Sequence, residues 1–198
     1  MNKHEVAAFF DELAPHWDER AKTEDEKIRF ILDIAGICEN AVVLDAACGT
    51  GVLFPYYLKR NVSRIIGVDI SPEMLRAAAA KYRDARIETI CADMETLPAH
   101  RKCDCCVVYN ALPHFPDPVG LIRNLAEWAK PGGRLTVAHG MSLEALKRHH
   151  AGRAKPVSKE MLRPDALAAI CAPWFSVDTE ISDSEMYVVS GMRRMQSD

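Results

Sequence analysis

Apolar residues recur along this chain with two periods, and the period switches repeatedly between helix-like and strand-like. Residues 4–17, HEVAAFFDELAPHW, carry Val6, Phe9, Phe10 and Leu13 at helical spacing, and Pro15 stops the run. Residues 23–37 predict a second helix, with Thr23 as N-cap, Glu26 three residues on, and Ile28, Ile31, Leu32 and Ala35 on one face. Strand one is expected over 41–46, followed by a glycine turn and a short helix over 51–61 with Pro55 early in it. Strand two is expected over 63–70. The helix over 71–84 opens with Ser71 as cap and Pro72 at its first position. Strand three falls at 86–93, strand four at 103–110, and a helix follows at 117–130. PGG at 131–133 reads as a turn and 134–140 as strand five. Helices are expected over 142–150 and 163–173, and strands over 175–181 and 185–193 close the chain.

Strands alternating with helices imply a parallel sheet covered on both faces. The link SDS at 182–184 is too short for a crossover, so the last two strands should form an antiparallel hairpin. The expectation is an α/β, Rossmann-like, doubly wound, mostly parallel seven-stranded sheet with an antiparallel C-terminal hairpin. Residues 1–198 read as one domain, with 1–22 as an N-terminal cap segment and 139–164 as an insertion beyond strand five. In such sheets ligands lie at the carboxyl ends of the strands.

Composition narrows the picture. A chain of 198 residues suits one domain. Its formal charge is −3 with no block of Lys and Arg, so no nucleic-acid groove is expected. Apolar runs are too short to span a bilayer. The early acids argue against a signal peptide, and seven irregularly spaced cysteines argue against a disulfide framework. A reducing cytoplasm is the expectation. Nothing predicts the oligomeric state.

The chemistry starts at VVLDAACGTGV, residues 42–52. Gly49 and Gly51 make a turn that lets a ligand approach the backbone. The dinucleotide fingerprint needs a third glycine where Phe54 stands, and the P-loop needs Gly-Lys-Ser/Thr where Gly-Val-Leu stands, so neither phosphate motif is complete. One carboxylate instead follows each of the first three strands: Asp45, Asp69 and Asp93. Asp45 suits an ammonium, Asp69 suits ribose hydroxyls, and Asp93 could accept from an adenine amino group. A cationic amino-acid tail, a ribose and an adenine together make S-adenosylmethionine, the expected cofactor.

The ordered segments VLDAACGTG, GVDISPEML, CADMETLP, VYNALPHFPDP and LAEWAKPGGRL resemble the class I S-adenosylmethionine-dependent methyltransferases. The likeness covers roughly residues 25–140, and FFDELAPHWDE resembles the N-terminal helix of the small-molecule branch that includes ubiquinone and menaquinone methyltransferases, with Trp17 where Tyr is frequent. The resemblance implies methyl transfer to a small molecule. It implies that Asp45, Ala47, Gly49 and Gly51 hold the methionine portion and Asp69 the ribose diol. Ile70 and Met74 would pack on adenine, Asp93 and the Met94 amide would read it, and Asn110 would line the methyl side.

Other readings compete. A nicotinamide oxidoreductase lacks the third glycine. A non-catalytic S-adenosylmethionine-binding or S-adenosylhomocysteine-binding protein, or an RNA or protein methyltransferase, stays open, although strand four ends in YNALP rather than an NPPY-type tetrapeptide. CDCC at 103–106 invites a metal or arsenic reading, but alternation puts Cys103 and Cys105 on one face and Cys106 on the other. Small hydrophobes in a buried strand is the plainer reading. Neither a CxxC nor an HExxH spacing accompanies the histidines after strand five, and no metal is expected.

His139 and His114 follow the strands that face the methyl group and are the candidate bases for an acidic acceptor such as a phenol or thiol. Trp17 and Phe10, with His149 and His150, are the candidate substrate-side residues. Residues 139–164 exceed what a minimal link requires and should wall the acceptor pocket, with Met141, Leu143 and Leu146 as its apolar part.

Overall fold

Proline and hydroxyl caps set where the helices begin, and the sheet follows from the strands between them. In the computed structural model, which describes residues 1–20, 25–150, 152 and 154–195 and only the backbone of Arg20, His149 and His150, each expected helix and strand is present with ends shifted by a few residues. Thr23, the expected cap of the second helix, lies outside the described residues. Helix α1 (Lys3–Leu13) starts at a capping box: Asn2 accepts the His4 N–H while Glu5 accepts the Asn2 N–H. Pro15 breaks the run into a single 3-10 turn before α2 (Trp17–Arg20). Helix α3 (Asp25–Ile34) buries Ile28, Ile31 and Leu32 on its inner face, as its spacing predicts.

Strands β1 (Val42–Ala46), β2 (Arg64–Asp69), β3 (Ile87–Cys91), β4 (Cys103–Tyr109), β5 (Ala129–His139), β6 (Phe175–Ser182) and β7 (Tyr187–Arg193) form one sheet in the order β3-β2-β1-β4-β5-β7-β6. Pairs β1 to β5 are parallel, and β7 runs antiparallel between β5 and β6. The hairpin between β6 and β7 is the expected one. Helices α4 (Phe54–Lys59) and α5 (Pro72–Lys81) cover one face together with α3. Helices α6 (Pro118–Trp128) and α8 (Pro164–Cys171) cover the other, and α7 (Leu143–His150) follows β5. Alternation along β1 sends Val43 to the first core and Leu44 and Ala46 to the second, which makes the strands apolar on both sides.

Two expectations need correction. Strand β5 starts at Ala129, before the PGG sequence rather than after it. Cys103 pairs with Ala129 but Cys105 pairs with Arg134, so Lys130 to Gly133 turn as a bulge inside the strand, with Gly132 at φ +74°. The same irregularity re-aims Cys103. It packs with Cys106 beneath α6, and Cys105 faces α3, where its thiol meets the Gly36 carbonyl at 3.6 Å. Simple alternation fails because the ladder slips at this point.

The hairpin carries a second bulge, between Val177 and Thr179, which aims Asp178 at Arg134 for a two-point ion pair at 2.8 Å. Gly191 lies beside it. A Cβ there would stand 2.6 Å from the Ser176 carbonyl oxygen and 2.7 Å from the Val177 Cα. Both are backbone atoms and cannot swing aside. Gly191→Ala should therefore cost at least about 1–3 kcal/mol of stability. Urea melts of the two proteins should show the midpoint falling; an unchanged midpoint would mean the hairpin is looser than its ladder implies.

Candidate active site

The strand order reverses between β1 and β4. Crossovers leave β1 toward β2 and β3 on one side and β4 continues on the other, so a crevice opens at the carboxyl ends there. A cavity of about 570 Å³ occupies that crevice, within the range of small-molecule and cofactor sites. Its wall includes Ala47, Gly49, Asp69, Ile70, Met74, Asp93, Met94 and Asn110 among the residues proposed from sequence. Asp45 and Gly51 are not on the wall.

Asp45 sits just beneath the floor, 2% exposed, and its Oδ2 has no hydrogen-bond partner among the described residues. Burial, and then repulsion from Asp69, push its carboxyl up to about 8. The Tyr57 hydroxyl lies close by and favours the ionised form, but stands off hydrogen-bond geometry. Gly49 has φ +54°, and a Cβ there would meet nothing within 4 Å, so the turn leaves open space on the ligand side. Gly51, at φ +79°, answers to packing: a Cβ would fall 2.6 Å from the Phe54 ring.

Asp69 does more than face the cavity. Its Oδ2 accepts the Gly49 N–H at 2.8 Å and its Oδ1 accepts the Ser71 N–H at 2.9 Å. One carboxylate thus ties the glycine turn to the loop after β2, and each oxygen keeps a lone pair for a ligand hydroxyl. Burial raises its carboxyl above the ordinary range, and these amide bonds oppose the rise. Asp93 also has protein partners. It ion-pairs with Lys3 of α1 and accepts the Glu95 N–H at 2.9 Å. Any adenine contact at Asp93 shares the carboxylate with Lys3.

The opposite side is apolar and aromatic. Phe10, Trp17 and His114 line it, with Phe10 edge-on to Trp17 at 5.7 Å and to His114 at 4.9 Å. His114 Nδ1 donates to the Val157 carbonyl at 2.8 Å, which in the neutral ring leaves the lone pair on Nε2. His139 is buried at the end of β5 on the wall, edge-on to Tyr187 at 6.1 Å. Met141 and Leu146 reach the wall, whereas Leu143 packs into the core beneath α6. The side chains of His149 and His150 lie outside what the structure describes. Asn110 has φ +56°, and its Oδ1 accepts the Gly140 N–H at 2.9 Å, joining the ends of β4 and β5.

Sequence reasoning missed Lys3, Leu13, Tyr109 and Phe115 on the wall. It also missed Asp11 and Asp18, which bond the loops around it. Tyr109 was readable as the neighbour of Asn110 at a strand end. Lys3, Asp11 and Asp18 have partners 32 to 90 residues away, so no local pattern marks them.

A buried carboxylate with an unmatched oxygen, an open glycine turn and a second carboxylate with spare lone pairs fit a ligand with a cationic tail and a diol. A family described as a methyltransferase domain matches residues 44–137, which run from β1 to β5. The malonyl-[acyl-carrier protein] O-methyltransferase of Hamiltonella defensa subsp. Acyrthosiphon pisum is 27% identical over 180 residues, covering 89% of this chain and 69% of that protein. The ubiquinone/menaquinone biosynthesis C-methyltransferase of Klebsiella pneumoniae is 33% identical over 116 residues, covering 55% and 46%. This chain therefore spans from about half to about seven-tenths of the length of these curated relatives. Among solved structures, magnesium protoporphyrin IX methyltransferase from Synechocystis superposes with a TM-score of 0.73 at 17% identity, covering 96% of this chain and 99% of that one. The segment matched by the methyltransferase-domain family is the one that builds the cavity floor, and over that segment the chain is similar to S-adenosylmethionine-dependent methyltransferases.

Proposed function

We propose that this protein transfers the methyl group of S-adenosylmethionine to a small, largely apolar acceptor in the cytoplasm, releasing S-adenosylhomocysteine. The observation behind this reading is continuity. One cavity joins the carboxylate floor to the aromatic wall and to His114 and His139.

When bound, the cofactor supplies an activated methyl carbon for in-line displacement. Asp45 holds the ammonium from beneath the floor. Asp69 accepts from the ribose diol, and Ile70 and Met74 pack on the adenine. Asp93 and the Met94 amide face the adenine edge, and Asn110 borders the methyl end. Phe10 and Trp17 exclude water from the acceptor side and suit a flat ring. His114 takes the acceptor's proton through Nε2, because the Val157 carbonyl fixes the ring through Nδ1. His139 lines the acceptor side at the end of β5. The relatives named above are called O- and C-methyltransferases of different acceptors, so the cofactor half of the cavity is the part this chain shares with them.

Incubation with methyl-labelled S-adenosylmethionine and a panel of phenols, hydroquinones, thiols and acyl thioesters should give S-adenosylhomocysteine and one labelled product class. Tight cofactor binding with no labelled product across such a panel would favour a non-catalytic binder. With an acceptor in hand, His114→Gln should lower turnover by roughly 10²–10⁴ while leaving cofactor affinity nearly unchanged. His139→Ala should also lower turnover more than cofactor affinity. Equal losses in both quantities would assign these histidines to the fold instead.

Asp45 makes cofactor binding proton-linked. Its carboxyl is raised to about 8 and is therefore mostly protonated near neutrality, whereas an adjacent ammonium favours the carboxylate. Binding should release about one proton below pH 7, and less as the pH passes the raised value, with affinity rising over that interval and then levelling. Calorimetry of S-adenosylhomocysteine in buffers of different ionisation heat measures this directly. Asp45→Asn should abolish the linkage, and a wild-type protein that exchanges no proton would remove Asp45 from this role.

A further inference from the structure

The N-terminal segment meets each of the three strand-end loops through one polar residue. In the glycine turn after β1, the Thr50 hydroxyl donates to Asp18 at 2.6 Å, and the other Asp18 oxygen takes Lys81 at 2.6 Å. After β2, Asp11 accepts the Ser71 hydroxyl at 2.5 Å and the Glu73 N–H at 3.2 Å. After β3, Lys3 pairs with Asp93 and, at 2.8 Å, with Glu95. These are the loops that present Gly49, Asp69 and Asp93 to the cavity. Asp11 and Asp18 themselves stand off the cavity wall, so they act on the loops and not on a ligand.

Apolar packing contributes little else to hold the segment down. Val6 joins Ala154 and Val157 in a small cluster separate from both cores, and Phe10, Leu13 and Trp17 turn toward the cavity. A unit with few buried apolar contacts opens locally at much lower cost than the whole fold. Its polar contacts are partly exposed, and so are weakened by salt.

We propose that Lys3, Asp11 and Asp18 are positioning residues that latch residues 3–18 over the cofactor end of the cavity, so that cofactor entry and product exit both wait for the latches to break. The proposal rests on the cofactor reading above and adds a gate to it. A gate has a kinetic signature. Weakening a latch that touches no ligand speeds entry and exit together, because both need the open state. Losing a direct ligand contact speeds exit alone.

The probe is S-adenosylhomocysteine, followed by stopped-flow with the fluorescence of Trp17, which lies in the segment and on the wall. Asp18→Ala and Asp11→Ala should each raise the association and dissociation rate constants by roughly three- to tenfold while Kd moves much less. Added salt should speed both rates in the wild type and do so less in the double variant. Unchanged rates, or a faster exit with unchanged entry, would overturn the latch. Should a variant fail to fold, wild-type hydrogen exchange decides: saturating ligand should slow exchange in residues 5–17 together with 47–51, and protection of the turn alone would overturn the proposal. If wild-type protein does not bind S-adenosylhomocysteine at all, the cofactor reading fails and the gate with it; binding with rates insensitive to the latches defeats the gate alone.

Discussion

The Asp69 carboxylate is the joint on which the site depends. The end of a parallel strand offers unpaired amides that need acceptors. Here one buried side chain accepts from the turn after β1 and from the loop after β2. Removing it would free two amides and uncouple two loops, so its loss would reach beyond any ribose contact. Its charge also acts through space. Repulsion from Asp69 adds to burial in raising Asp45, so the carboxylate that organises the loops also tunes the one beneath the floor. Two acids this close favour a cation between or beside them, which is the electrostatic reason the turn suits a cationic tail where a phosphate would be repelled.

Strain is placed at the same ends. Ala47 and Asn110 have φ near +60° and border the cavity at the ends of β1 and β4. A left-handed residue with a Cβ costs about 1–2 kcal/mol, less for Asn. At Asn110 the side chain offsets this by accepting the Gly140 N–H. Ala47 has no polar side chain to do so, and the adjoining Cys48 amide is held by the Val68 carbonyl at 3.1 Å. The strained conformations turn each chain sharply off its strand, which clears the crevice between β1 and β4 for a ligand.

What was legible in the sequence is what depends on near neighbours. Ser71 and Pro72 start α5 because capping is a contact between residues three apart. Asp45, Asp69 and Asp93 could be placed because each lies within two residues of the end of its own strand. The β5 boundary and the side taken by Cys103 were not legible, since both follow from a ladder slip between β4 and β5 that spacing does not encode. The Asp11, Asp18 and Lys3 contacts were hidden for the same reason at longer range. On the sequence they are ordinary helix-surface charges, and only the path of the sheet brings Thr50, Ser71 and Asp93 beneath them.

This split in legibility corresponds to a split in the cavity. The floor is polar, built from strand ends, and fixed by side-chain bonds to the backbone such as those of Asp69. The roof is apolar, supplied by Phe10, Leu13 and Trp17 on one segment and by Met141, Leu146 and Ala154 on another, and it is seated by few contacts. Phe10, Leu13 and Trp17 can change size without disturbing the sheet, because they stand outside both cores, whereas Leu146 packs into the core beneath α6. The floor cannot change so freely, because Asp69 accepts the Gly49 and Ser71 amides and a Cβ on Gly51 would strike the Phe54 ring. A fold arranged this way keeps a polar floor fixed while the apolar side of the cavity, where Phe10 and Trp17 stand, is free to vary in shape.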